Sequence, residues 1–129
     1  MSVYGQQSGG AFLPNQAADV RAWAVTQPVT TLSVNGAIPV LSGAYRIINV
    51  AAGAYTLRAP TVDEEGTTLF ITAGTAAAHA ITATGLIQNG IVGGAKSSAT
   101  TAAFIGSSIT LVALNLNWFV QSSVAITFA

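Results

Sequence analysis

Turn signals interrupt this chain so often from residue 29 onward that only short strands fit between them. Asn35-Gly36, Ser42-Gly43, Ala51-Ala52-Gly53, Asp63-Glu64-Glu65-Gly66 and Ala73-Gly74-Thr75 separate runs in which β-branched and apolar residues mix with polar ones. Asn-Gly is a strong hairpin-turn signal. The runs at 44–50 and 54–59 predict one hairpin, and those at 67–72 and 78–84 a second. A run at 38–41 reads as a strand, residues 88–100 read as a Gly/Ser-rich loop, and 101–105, 108–114, 118–122 and 124–128 complete the set. Alternation is clear where it matters. Leu69 and Ile71 share one face against Thr68, Phe70 and Thr72, and Ile109, Leu111 and Ala113 oppose Thr110, Val112 and Leu114. No stretch carries a capped 3.6-residue repeat. The pattern predicts an all-β fold: residues 29–129 as a β-sandwich or jelly-roll-like domain of roughly nine short antiparallel strands.

Residues 1–28 differ in kind. They are rich in Gly, Gln, Ala and Pro, and their apolar residues follow no strand or helix period. Pro14 and Pro28 bias the residues before them toward extended backbone. The segment reads as an extended N-terminal arm lying across another surface. Tyr4, Phe12, Leu13 and Trp23 are its interface candidates, because such side chains are costly to leave in water. The opening residues lack the basic and apolar regions of a secretory signal peptide.

Charged residues make up 6% of the chain, four basic and four acidic, against about 25% in an ordinary soluble domain. No basic stripe is present to neutralise phosphates, so a nucleic-acid partner is not expected. No polybasic amphipathic segment is present to hold a membrane surface. A neutral surface this poor in charge has two explanations. Either Ser, Thr, Asn and Gln cover it, or much of it is buried in an assembly, where interface cores are depleted in charge. There is no cysteine, which removes disulfides, thiol chemistry and thiolate-bound metal.

Residues able to carry protons or a nucleophile are scarce. His79 is the only histidine. It lies in a predicted strand between alanines, with no carboxylate beside it to orient it as a base, and reads as structural. Asp63-Glu64-Glu65 is the only acidic cluster, without the spacing of a calcium loop, and reads as a solvated turn. Gly93-Gly94-Ala95-Lys96-Ser97-Ser98 lacks the spacing of a phosphate loop. Neither an enzyme, a cofactor nor a metal site is expected. Tyr45, Tyr55, Trp118 and Phe119 have the side chains of a glycan platform, but all fall in predicted strands, where core or interface packing explains them more simply. Trp118 against Phe119 gives its strand apolar groups on both faces, as in a strand covered on both sides.

The second half carries a resemblance. Residues 65–82, Glu-Gly-Thr-Thr-Leu-Phe-Ile-Thr-Ala-Gly-Thr-Ala-Ala-Ala-His-Ala-Ile-Thr, resemble a segment of tailed-bacteriophage virion proteins, as do residues 103–120, Ala-Phe-Ile-Gly-Ser-Ser-Ile-Thr-Leu-Val-Ala-Leu-Asn-Leu-Asn-Trp-Phe-Val. In those proteins a G-T-T-L-x-I strand precedes an A-H-x-I-T strand, followed by a glycine loop and S-x-T-L-x-A-x-N-x-x-W-x-V. The similarity covers about residues 60–128 and includes head decoration (cement) proteins and tail-fibre domains. It implies a sandwich or jelly-roll that assembles as a homo-oligomer, a trimer, on the outer surface of the phage head, with the major capsid protein as partner. The implied function is stabilisation of contacts between capsid subunits. A tail or fibre component binding a host receptor or glycan is the alternative, and a free-standing lectin-like module a third. One departure stands at Leu116, where the family favours glycine. It makes Leu116 either an interface contact or the mark of a different turn. Leu116, Trp118 and Phe119 complete the interface candidates.

Overall fold

The structure, a computed structural model, describes residues 29–129. Tyr4, Phe12, Leu13 and Trp23, and the arm reading of residues 1–28, lie outside the described residues. The described chain is nearly all β. Its strands are β1 Val29–Leu32, β2 Gly36–Ala37, β3 Gly43–Ile47, β4 Ala54–Thr56, β5 Thr68–Ala73, β6 Ala80–Gln88, β7 Lys96–Thr101, β8 Ser108–Leu114, β9 Asn117–Val124 and β10 Ile126–Phe128, with one 3-10 turn at Val62–Glu64. No helix among these residues is long and apolar enough to cross a membrane.

The strands form one curled, mixed 10-stranded sheet, a half-barrel. This corrects the antiparallel expectation. β1, β3 and β5 stack in parallel, and so do β2, β4 and β6. The chain therefore winds in three turns, β1–β2, β3–β4 and β5–β6, each laying one strand on either side of the core. Neither predicted hairpin forms. β3 pairs β5 (Tyr45 beside Ile71) and β4 pairs β6 (Tyr55 beside Ile81). The remaining strands run back antiparallel, β8 on β5 and β9 on β8, β7 on β6 and β10 on β7. A short parallel contact of β6 with β9, Ile87 beside Trp118, joins the two sides.

Two further segments depart from the sequence reading. Residues 38–41 are not a strand, although Ile38 and Val40 are buried: Ile38 N–H still donates to the Thr56 carbonyl, and Pro39 next to it has no N–H to offer a ladder. β7 forms within the expected loop 88–100. Its Ser- and Thr-rich sequence has little strand signal of its own, and pairing with β6 and β10 imposes the extended backbone.

The core lies against the concave face. Leu69, Ile71, Ile109, Leu111, Ala113 and Trp118 enter it from one side, and Tyr55, Leu57, Ile81, Ala83, Ile87 and Ala99 from the other. Alternation along each strand places these residues inward and their Thr and Ser neighbours outward. Each fully buried aliphatic contributes about 1.5–3 kcal/mol.

Candidate interaction surface

Of the expected interface residues within the described chain, Trp118 is corrected. It is fully buried, and its indole Nε1–H donates to the Arg58 carbonyl at 2.9 Å. The adjacent Phe119 points to the other face and is 37% exposed, as strand alternation requires. Leu116 is exposed at the tip of the β8–β9 hairpin. Asn115 and Leu116 have φ of 51° and 62°, the paired positive values of a type I′ turn. The turn type is thus the one glycine would favour, with leucine in its place. Val62, Glu65, Asn115 and Leu116 line a shallow hollow of about 410 Å3 there. Tyr45 and Tyr55, the other aromatic platform candidates, are both buried.

Two of the three acids in the cluster, Glu64 and Glu65, are engaged internally. Glu64 forms a bidentate pair with Arg58 at 2.8 and 2.7 Å and accepts the Thr61 N–H. The Arg58 guanidinium, with the Thr61 amide, holds the Glu64 carboxyl down at about 2. Glu65 accepts the Asn115 N–H at 2.9 Å, fastening the hairpin tip. Among the described residues no three His, Asp or Glu side chains gather as a metal site would need.

His79 lies just before β6, fully buried. Its Nδ1 accepts the Gly53 N–H at 3.0 Å, and its Nε2 lies 2.9 Å from the Thr75 hydroxyl. A backbone N–H can only donate, so Nδ1 presents its lone pair and Nε2 carries the proton. The Thr75 hydroxyl accepts from Nε2–H and donates to the Asn49 carbonyl. Burial holds the imidazole pKa below its ordinary value. Asn49 extends the network to Asn35 Oδ1 at 3.1 Å, and Asn35 Oδ1 also accepts the Ala54 N–H. The corners of the three chain turns, around residues 33–35, 48–53 and 74–79, are stitched together at one end of the sheet.

The topology gives the molecule two unlike ends. At one lie these corners together with the β7–β8 turn (102–107) and the β9–β10 junction at Ala125. At the other lie the loops 38–42, 57–67 and 89–95 and the Asn115-Leu116 tip. Among the described residues the charged side chains are Arg46, Arg58, Asp63, Glu64, Glu65 and Lys96. All but Arg46, whose side chain lies over Gly74 at the first end, belong to the second end. The first end exposes Val34, Ile48, Val50, Phe104, Ile105 and Val124, while the second carries Leu41, Val62, Ile91, Val92 and Leu116 exposed among its charges. Phe104 and Ile105 are each 71% exposed, on a turn that is fixed rather than loose. Ser107 N–H and Oγ–H both donate to the Phe104 carbonyl, Gly106 N–H to the Ala73 carbonyl, and Ala102 N–H to the Ala125 carbonyl. Val34 and Val50 flank a depression of about 380 Å3 beside the corner network.

A second apolar strip lies on the outer face of β5, β8 and β9. Register puts Val112 between Thr68 and Phe119, with Phe70 beside Thr110. Phe70, Leu114 and Phe119 are all exposed along it.

Sequence reasoning named Phe119 and Leu116 and missed the Phe104–Ile105 turn, which it assigned to a strand. The signal was present in Gly106-Ser107, a turn pair directly after two large apolar residues. No protein-family model matches the chain, and neither does any curated protein.

Proposed function

We propose that this chain is a capsid decoration protein of a tailed bacteriophage. It binds the outside of an assembled head and stabilises contacts between major capsid subunits. The observation that carries this reading is the charge-poor end, where Arg46 is the one charged side chain among the described residues and Phe104 and Ile105 stand exposed on a hydrogen-bonded turn. Large apolar side chains held rigidly in water lose little entropy on docking, and anchors of this kind dominate interface energies. The scarcity of charge around them, with Arg46 alone at this end, suits an apolar protein surface better than phosphates or anionic lipid. The virion assignment rests on the resemblance of residues 60–128 to head decoration proteins. Homotrimeric assembly and a sandwich of jelly-roll type, with the two sides of the curled sheet as its layers, belong to the same proposal. The outer strip with Phe70 and Phe119 is the surface available for contacts between copies.

The test is co-sedimentation with expanded shells assembled from the major capsid protein of the same genome. Wild-type protein is expected to pellet with the shells. The double variant Phe104→Ser/Ile105→Ser is expected to keep its circular dichroism spectrum and Tm while shell affinity falls at least about 30-fold, the loss of one strong anchor. Wild-type protein that ignores shells but binds host cells or glycans would replace this reading with the fibre alternative.

A further inference from the structure

We propose that His79 is an acid-sensitive pin for the charge-poor end. Its protonation frees the corners 48–53 and 74–79, and with them the surface that carries Ile48 and Val50. The role of that surface rests on the docking reading; the pin itself does not.

The geometry admits only the neutral ring. Nδ1 faces the Gly53 N–H at 3.0 Å, and a proton on Nδ1 would set donor against donor. Either the Gly53 amide must leave or the ring must turn, and the ring has no room. Tyr55 stands edge-on with its centroid 6.4 Å away. A side chain at Gly53 would meet Tyr55 Cε2 at 2.5 Å and His79 Nδ1 at 3.1 Å, so the loop already lies against both rings. The His79 backbone is held as well, with its N–H donating to Thr101 Oγ1 at 2.9 Å and its carbonyl accepting the Thr101 N–H.

No packed element offers an anion to a charged imidazolium. The 48–53 corner brings Asn49 and Gly53, the 74–79 corner brings Thr75, and β7 brings Thr101. β4 brings Tyr55, whose hydroxyl accepts from Asn49 Nδ2 and whose own ionisation burial pushes further up. The charge packed nearest along these corners is Arg46, a cation whose side chain lies over Gly74. With the ring neutral, every group in the chain Gly53–His79–Thr75–Asn49 is satisfied. With the ring charged, the Gly53 contact is lost and nothing compensates.

The sign follows. In the opened corner His79 has an ordinary pKa near 6.5, and in the closed corner it lies lower. The closed corner is therefore fully favoured above about 6.5 and is lost as pH falls through the closed-state value. Down to that value, the opening equilibrium rises about ten-fold per pH unit.

The test uses the isolated chain, so it succeeds or fails independently of any shell. Nitrogen NMR of the imidazole is expected to show the Nε2–H tautomer at pH 7.5 and a midpoint below 6.5. Amide exchange, corrected for its intrinsic pH dependence, is expected to show Gly53 losing protection by up to about ten-fold per pH unit from about pH 6.5 down to the imidazole midpoint, while β5 and β8 amides hold. His79→Gln, whose amide can accept from Gly53 and donate to Thr75 without titrating, is expected to remove this pH response. An imidazole midpoint at or above 6.5, or Gly53 protection flat over this range, overturns the proposal. Because both results come from wild-type protein, a His79→Gln chain that fails to fold leaves the decision with them. The docking reading fails separately, if Phe104→Ser/Ile105→Ser leaves shell binding unchanged.

Discussion

Leu116 holds a φ of 62° that a side chain with a Cβ adopts only at a cost of about 1 kcal/mol. The Leu116→Gly variant should therefore be more stable than wild type by about 1 kcal/mol, raising Tm by roughly 4–8 °C in a calorimetric scan. A Tm unchanged or lower would mean that contacts of the leucine with Val62 offset the backbone strain. Two positions along, Trp118 and Phe119 show how much a single residue's fate depends on the sheet. Both were legible in the sequence as apolar residues on opposite faces of one strand. Only the ladder with β8, which sets Trp118 beside Ala113 and Phe119 beside Val112, decides which one faces the core. His79 was legible as a lone histidine with no acid beside it in the sequence. Its partners Gly53 and Thr75 were not, because they come from different corners of the winding.

The corners are the elements on which the fold turns. Ala51-Ala52-Gly53 and Ala73-Gly74-Thr75 carry the residues of hairpin turns, and the flanking runs alternate as hairpin strands do. A corner that passes the chain to the opposite side of a curled sheet uses the same residues and the same alternation. The local sequence therefore does not distinguish the two, and partner choice is made by packing across the core. What does set the corner apart is crowding at Gly53. The Gly53→Ala variant should lose about 1–3 kcal/mol in urea unfolding, since its methyl would press on Tyr55 and His79. A loss under about 0.5 kcal/mol would show that the corner can shift to accept it. The β8–β9 pairing is the most local in the sheet, and its strand runs 108–114 and 118–122 were legible; the extension of β9 to Val124 and the register shift between Thr110 and Leu111 were not.

At the scale of the whole molecule, the low charge of the sequence resolves into a distribution. The charges of the described residues collect at the end with the Arg58–Glu64 pair, while the opposite end holds Arg46 alone; exposed apolar residues occur at both ends. Composition gave the scarcity of charge, but its segregation depends on which loops the topology brings to each end. Shell binding through the charge-poor end, which carries Arg46 as its one described charge, should be nearly independent of salt. Its affinity is expected to change by no more than about two-fold between roughly 50 and 500 mM sodium chloride, measured by quantitative sedimentation. A steep fall with salt would locate the contact at the charged end instead.

The parallel winding also has a consequence in time. β1 finds its partner only after β2 has been passed, and β5 waits for β3 on one side and β8 on the other. Such pairing closes long loops before any contact rewards it, which places folding in the slow range of milliseconds to seconds. The β8–β9 hairpin closes the shortest loop in the sheet, yet it is synthesised after β1 through β7. As the chain leaves the ribosome, its first three windings emerge before the local structure able to nucleate them. Their apolar strands must stay apart until a later segment arrives.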